Sequence, residues 1–224
     1  FLRVGQLELF ARRVRNNAHD EALNELKMIV QHLIDRNYKD EIEYEISLEN
    51  KVINLAYLYR SRLISLVANW MRVGYCQGNF NSDNCAAGGY TLDYGPFGFC
   101  ELFDPRFQPW TGGGKHFSFF NQPTAAEINF KTFCSSLSPL LSESKDNLEK
   151  LEQIEKDFSK LMNQELMKMW ANKLGLEHYN ETLINEFFNL MVISKADYTI
   201  LFRKLSEIPD NLDSLKDSFY LPIN

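Results

Sequence analysis

Side chains suited to chemistry cluster in one stretch of the sequence, residues 79–95. Asn81, Asp83 and Asn84 place amide and carboxylate oxygens close together, and Asp93 adds a further carboxylate two positions before a glycine. Hard oxygen donors of this kind are the ligands that Mg²⁺ and Ca²⁺ take in proteins. Asn and Asp also cap turns in ordinary loops, which is their commoner role. The cluster alone therefore leaves a metal site and a set of turn caps both open.

Two familiar loop types can be excluded. A calcium-binding EF-hand loop starting at residue 79 would need glycine at its sixth position and glutamate at its twelfth, where the sequence has Asn84 and Tyr90. Residues 112–115, GGGK, suggest a phosphate-binding loop. However, Pro109 stands where its first glycine is required, and His116 replaces the Ser or Thr that binds Mg²⁺. We interpret residues 112–115 as a flexible turn.

The sequence Asp93-Tyr94-Gly95 favours the metal site. In protein kinases an Asp/Asn loop supplies a base and one metal ligand, and the Asp of a later Asp-aromatic-Gly unit binds the metal that bridges the phosphates. The order is the same here. Asp83 is followed at once by Asn84 and no His-Arg pair precedes it, so the spacing disfavours an ordinary protein kinase.

Longer strings around these residues resemble a known family. Residues 74–84 read GYCQGNFNSDN and residues 91–99 read TLDYGPFGF, and both strongly resemble selenoprotein O. The agreement extends over most of residues 1–141, and the string DYGPFGF is too long and specific to be a chance match. Four shorter strings agree as well: LRVG at 2–5, FDP at 103–105, FFNQP at 119–123 and LSP at 137–139.

This resemblance implies a kinase-like protein that transfers AMP from ATP to Ser, Thr or Tyr hydroxyls of other proteins. Asp83 matches the catalytic base of the family, and Asn84 and Asp93 match the ligands of Mg²⁺, with Mn²⁺ as the alternative metal. Arg3 matches an arginine that binds the nucleotide phosphates, and Asp93 contacts the nucleotide through the metal. Without the resemblance, Arg3 would be interpreted as one half of a surface ion pair.

The sequence departs from the family pattern in several places. Gln77 stands where the family usually has histidine, and glutamine can form hydrogen bonds but cannot titrate. Pro109 and Trp110 occupy the region where members often carry a cysteine, so a redox switch there is not supported.

No segment corresponds to an N-terminal kinase lobe with its glycine-rich loop, strand lysine and paired glutamate. We therefore expect the chain to be the C-terminal lobe of a longer protein, with the N-lobe absent and the isolated lobe inactive. The alternative function is a kinase-like pseudoenzyme that binds nucleotide or a partner protein without catalysis. The presence of a base together with metal ligands argues against that alternative.

The elements that must position these residues are mostly helical. Residues 50–73 are apolar over too broad an arc for a surface helix, which predicts a buried helix. Residues 74–115 lack a helical period and include residues 89–92 as a candidate strand. Helices resume after Pro123 and are interrupted at Gly175 and Pro209. Two series at helical spacing predict core-facing stripes: Leu7, Phe10, Ala11 and Val14, then Leu23, Leu26, Ile29, Val30 and Leu33.

These elements together predict a mostly α fold, a protein-kinase-like C-terminal lobe with a short β-hairpin in an irregular catalytic segment. We expect residues 1–141 to form the core of the lobe with the catalytic and metal loops. Residues 142–224 are expected to add further helices packed on the same lobe.

Bulk composition excludes several partners. The net charge of −6 and the absence of a basic patch argue against nucleic acid. No apolar run reaches membrane-spanning length, and the N-terminus lacks the pattern of a signal peptide. We expect a protein that is not secreted, cytoplasmic in a bacterium or mitochondrial in a eukaryote. The four cysteines form no C-x-x-C pair, so reduced thiols are expected, with one bridge left open.

Overall fold

The computed structural model describes residues 1–92 and 95–221, which are mostly helical. This confirms the expected helical class with a short antiparallel strand pair. In chain order the elements are α1 (Val4–Arg15), α2 (Ala22–Asn37), α3 (Leu48–Val73), β1 (Tyr75–Gln77), β2 (Phe97–Phe99), α4 (Gln122–Leu137), α5 (Lys145–Lys156), α6 (Phe158–Lys173), α7 (Glu181–Ile193) and α8 (Tyr198–Ser206).

The strand prediction for residues 89–92 is wrong. β1 pairs instead with β2, with Tyr75 opposite Phe99 and Gln77 opposite Phe97. Gly89 has a φ of 76°, a left-handed conformation that interrupts any extended run. The carbonyl of the preceding residue, Gly88, accepts a hydrogen bond from an arginine side chain rather than from a neighbouring strand.

The chain divides into two compact units. The first comprises Phe1–Leu66, Phe80–Tyr94 and Pro123–Leu161. The second comprises Val67–Asn79, Gly95–Gln122 and Met162–Asn224. Helix breaks fall where the sequence predicted them, since Gly175, shortly after α6, has a φ of 68° and Pro209 follows the end of α8.

The core of the first unit contains a fully buried aromatic group. The ring centroids of Tyr59 and Phe133 are 4.2 Å apart, and those of Phe130 and Phe158 are 4.9 Å apart. Burying one side chain of this size stabilises the folded state by about 1.5–3 kcal/mol. The predicted stripes of α1 and α2 are largely buried as well, but Leu23 is 37% exposed and lies at the edge of its stripe.

The second unit is organised around the buried Tyr198. Its hydroxyl donates to the carbonyl of Met71 at 2.6 Å, and its backbone N–H donates to the carbonyl of Glu101 at 2.7 Å. Its ring stacks on Phe103 with centroids 5.9 Å apart. At Gly74, which has a φ of 78°, an added Cβ would lie 2.8 Å from the Tyr198 ring, so only glycine fits.

A pair of buried glutamines fixes β1 within the second unit. The backbone N–H of Gln77 donates to Oε1 of Gln122 at 2.8 Å, and Nε2 of Gln122 donates to the carbonyls of Tyr75 and Phe119 at 2.9 and 3.2 Å. The Tyr75 hydroxyl donates to Oε1 of Gln77. Gln77 therefore contributes a side-chain acceptor and a backbone donor to the buried hydrogen bonds that hold β1 in place.

All four cysteines are free and buried. No helix within residues 1–92 and 95–221 has the length and apolar character needed to cross a membrane.

Tyr198→Phe tests the role of this tyrosine in stability. The substitution keeps the ring but leaves the Met71 carbonyl without its hydroxyl donor, so we expect a loss of about 1–2 kcal/mol in the free energy of unfolding. Urea unfolding followed by circular dichroism measures the loss. Tyr44→Phe is the control, because Tyr44 is 82% exposed and its change should stay within about 0.5 kcal/mol. Equal midpoints for the two variants would contradict the assignment.

Candidate functional site

A short 3-10 turn, Ser82–Asn84, carries two of the predicted site residues. Oδ1 of Asn81 accepts hydrogen bonds from the backbone N–H groups of Asp83 and Asn84 at 3.0 and 3.2 Å. Asn81 is therefore a turn cap, which is the commoner role of Asn in loops. The turn leaves Asp83 exposed to solvent and turns Asn84 inward, where it is 9% exposed.

The start of the chain lies alongside this turn. The N–H of Val4 donates to the carbonyl of Cys85, and the N–H of Ala87 donates to the carbonyl of Leu2, both at 2.9 Å. Arg3, between them, has Nη1 at 3.4 Å from the backbone oxygen of Asp83, although the two residues are 80 positions apart. The structure thus brings Arg3, Asp83 and Asn84 together in the first unit.

Arg3 also begins helix α1. Its backbone N–H donates to Oε1 of Gln6 at 2.9 Å, which satisfies a donor at the helix start. Within the described part of the chain, Arg3 forms no ion pair with a carboxylate. The surface ion pair that served as the alternative interpretation of this residue is therefore not supported.

Gly5 allows this close approach. A Cβ added at Gly5 would lie 2.4 Å from Oδ1 of Asp83, closer than non-bonded atoms come. Glycine inside a helix costs roughly 0.5–1 kcal/mol relative to alanine, so its presence in α1 needs a local reason. The space required by the Asp83 carboxylate is that reason. In the sequence, Gly5 is the last residue of the family string LRVG, and that string is the feature that indicated this segment.

Buried polar contacts hold the segment on both sides of the turn. Before the turn, Nδ2 of Asn129 donates to the carbonyl of Phe80 at 2.9 Å. After it, the hydroxyl of Tyr38 donates to the carbonyl of Ala87 at 2.8 Å. Sequence reasoning missed Asn129 and Tyr38. Asn129 could have been found as a polar residue within the largely apolar helix α4, whereas Tyr38 follows the end of α2 and carries no such signal.

Cys85, which follows the turn directly, is not a nucleophile. Its Sγ lies 3.1 Å from the hydroxyl of Tyr59, and both groups are buried. Burial raises the pKa of the Cys85 thiol to about 12, and it raises the pKa of Tyr59 well above its usual value. Both groups therefore favour their neutral forms at physiological pH, and a neutral buried thiol is a poor nucleophile.

The remaining predicted residue, Asp93, lies outside the described residues, and its role stays a prediction. Within residues 1–92 and 95–221, no group of three or more His, Cys, Asp or Glu side chains is placed to hold a metal. Of the two predicted metal ligands, Asn84 lies within the described residues and offers a hard amide oxygen in the turn that carries Asp83. This donor chemistry fits Mg²⁺, which needs few protein ligands when phosphate oxygens complete its coordination.

Comparison with known proteins decides the family. The family model described as "Protein adenylyltransferase SelO" matches residues 1–220. The chain belongs to this family. The SelO family was the one indicated by the strings at residues 74–84 and 91–99.

Curated relatives named "Protein nucleotidyltransferase YdiU" agree with this membership. The protein from Aromatoleum aromaticum is 32% identical over 230 residues, covering 98% of this chain and 41% of the relative. The one from Brevibacillus brevis is 34% identical over 211 residues, covering 92% of this chain and 40% of the relative. The chain therefore spans about two fifths of the length of these relatives.

The raised pKa of Cys85 predicts low thiol reactivity. In the folded protein at pH 8 we expect iodoacetamide to leave Cys85 unmodified, because the thiolate is scarce and the group is buried. Mass spectrometry before and after unfolding in urea checks this. Ser142→Cys, at an exposed position, is the positive control. Modification of Cys85 at the rate of the control would show that the site is open.

The same shift fixes a pH dependence of stability. The pKa of this thiol rises from 9.0 to about 12 on folding. Its contribution to the free energy of unfolding is therefore complete below pH 9 and is lost as the pH rises toward 12. The free energy of unfolding should therefore fall above pH 9, and the fall should be smaller in Cys85→Ala.

Proposed function

We propose that the intact protein transfers AMP from ATP to Ser, Thr or Tyr hydroxyls of proteins in a metal-dependent reaction. The observation that carries this proposal is the meeting of Arg3 and Asp83, which are 80 positions apart, beside the buried Asn84. Arginine, carboxylate and amide side chains on neighbouring parts of the backbone are groups that can bind a triphosphate and accept a hydroxyl proton. Membership of the SelO family supports the same reaction.

In the proposed reaction, Asp83 accepts the proton of the acceptor hydroxyl as its oxygen attacks the α-phosphorus of ATP. A bond forms between that oxygen and the α-phosphorus, the bond to the β-phosphate oxygen breaks, and pyrophosphate leaves. The guanidinium of Arg3 neutralises charge on the departing pyrophosphate. Bound Mg²⁺, or Mn²⁺ in its place, would be held by Asn84 and Asp93 and would neutralise phosphate charge.

We further propose that the described helices form a kinase-like C-terminal lobe, with the chemistry in residues 1–141 and supporting helices in residues 142–224. The support for the lobe is the order of elements, because a long helix leads through β1 to the turn with Asp83 and Asn84. An N-terminal lobe in the intact protein would supply the remaining contacts to ATP. Because the chain spans about two fifths of its relatives, the experiments use the intact protein.

Labelled ATP distinguishes AMP transfer from phosphate transfer. The intact protein is supplied in parallel with ATP labelled at the α- or at the γ-phosphorus, together with a mixture of protein substrates. We expect protein-bound label from the α-position only, because the proposed attack is on the α-phosphorus. Label from the γ-position alone would identify a phosphotransferase. Label from neither position, together with measurable ATP binding, would identify a pseudoenzyme.

Substitutions separate the roles of the two carboxylates. Asp83→Asn should lower turnover by about 10²–10⁴-fold while ATP affinity stays nearly unchanged, because the lost group acts on the acceptor proton. Asp93→Ala should abolish metal-dependent ATP binding, measured by calorimetry with and without Mg²⁺.

Asp20→Asn is the control, because Asp20 is exposed and lies between α1 and α2, outside the candidate site. Normal metal-dependent ATP binding by Asp93→Ala would show that the metal is held elsewhere.

A further inference from the structure

The loop of residues 85–89 follows the turn Ser82–Asn84. Its backbone is held by hydrogen-bond donors from several parts of the first unit. The carbonyls of Cys85 and Ala86 accept from the N–H groups of Val4 and Gly89, at 2.9 and 3.1 Å. The carbonyl of Ala87 accepts from Tyr38, as described above. Irregular backbone that is removed from water needs a partner for each polar group. The next carbonyl, that of Gly88, accepts a hydrogen bond from a charged side chain.

That side chain is Arg62, from the middle of α3. Its Nη1 donates to the carbonyl of Gly88 at 3.0 Å, and its Nη2 forms an ion pair with Glu41. The guanidinium carbon lies 4.1 Å from the centroid of the Tyr38 ring. Arg62 is thus fixed by an ion pair and by contact with the face of a ring, while its Nη1 holds the carbonyl of Gly88.

Two glycines in the loop leave space for the neighbouring side chains. At Gly89 an added Cβ would lie 2.6 Å from Cβ of Arg62, and its φ of 76° also favours glycine. At Gly88 an added Cβ would lie 2.4 Å from the ring of Tyr90. Gly89 lets the backbone approach α3 closely enough for the guanidinium to reach a carbonyl, and Gly88 leaves room for the Tyr90 ring.

We propose that Arg62 is a positioning residue for nucleotide transfer. This inference rests on the proposed function above. Residues 85–89 lie between Asn84 and Asp93 in the chain, and Arg62 fixes their path from outside the site. Arg62 does not need to touch ATP, the metal or the acceptor. By holding Gly88, it fixes one point of the backbone that follows Asn84.

The geometry requires arginine at this position. A planar guanidinium presents donors in two directions at once and stacks on an aromatic ring, whereas a lysine ammonium is a point charge on a flexible stem. Lysine at position 62 can reach either Glu41 or the Gly88 carbonyl, but it does not reproduce the stacked fork. Arg62→Lys should therefore restore only part of what Arg62→Gln loses.

The chain offers a matched control in Arg13. Its Nη1 pairs with Glu25 at 2.9 Å, and its guanidinium carbon lies 4.9 Å from the centroid of the Phe10 ring. Arg13 therefore has the same two kinds of contact as Arg62 but no bond to the loop. Arg13→Gln removes an ion pair and a cation–π contact while leaving residues 85–92 unchanged.

The first experiment is amide hydrogen exchange on the intact protein without nucleotide. In Arg62→Gln we expect exchange of residues 85–92 to accelerate by about tenfold or more, because the loop opens locally. In Arg13→Gln the same amides should exchange at the wild-type rate. Equal exchange in the two variants would overturn the proposal, whatever the protein catalyses. If Arg62→Gln does not fold, Arg62→Lys and Glu41→Gln give the same comparison.

The second experiment measures transfer from α-labelled ATP over a range of Mg²⁺ concentrations. Arg62→Gln should lower kcat by about 10–100-fold, as expected for a displaced reacting group, and should raise the Mg²⁺ concentration needed for half-maximal rate. Arg62→Lys should give an intermediate rate, and Arg13→Gln the wild-type rate. Unchanged kcat and Mg²⁺ dependence with accelerated exchange would show that Arg62 supports only the loop.

These experiments distinguish a failure of the proposed function from a failure of the proposed role of Arg62. If the wild-type protein transfers no AMP, the proposed function fails, and so does the role of Arg62 in transfer. Hydrogen exchange still decides whether Arg62 holds the loop. If the wild type is active and Arg62→Gln is equally active, the proposed function stands and the role of Arg62 is rejected.

Discussion

The candidate site depends on how an irregular backbone pairs its polar groups. A helix or strand satisfies its own carbonyls, but the run after Asn84 has no such ladder and would lose stability if its buried carbonyls stayed unpaired. Donors arrive instead from the start of α1, from Tyr38 and from Arg62 on α3. The loop therefore takes its conformation from the surrounding helices, and its own sequence contributes mainly the glycines that permit the approach.

The helices could be predicted from the sequence because their signals are local. The broad apolar arc of residues 50–73 became α3, and Pro123 falls at the second position of α4, where its missing N–H costs nothing. The strand expected at residues 89–92 failed for a non-local reason. A short apolar and aromatic run is compatible with a strand, but Gly89 is left-handed and lies against the Arg62 side chain of α3. No property of residues 89–92 alone reveals that neighbour.

The residues of the candidate site divide in the same way. Asp83 and Asn84 could be predicted from their residue types and from the family strings, because both residues lie within one short string of the sequence. Arg3 was indicated only by the resemblance, because an arginine at the start of a helix is usually solvated. Arg62 gave no signal, since one arginine in a long helix resembles any other. Its partners, Glu41 and Gly88, are 21 and 26 positions away.

The spread of these donors along the chain has a consequence for folding. Closing a loop costs entropy that grows with the number of residues between its ends, and contacts distant in sequence form late. The bond between Val4 and Cys85 joins residues that flank α2 and α3 in the sequence, so it closes a loop that contains both helices. We therefore expect the turn Ser82–Asn84 to be among the last parts of the first unit to form. A newly made chain would present this turn only once its helical scaffold is complete.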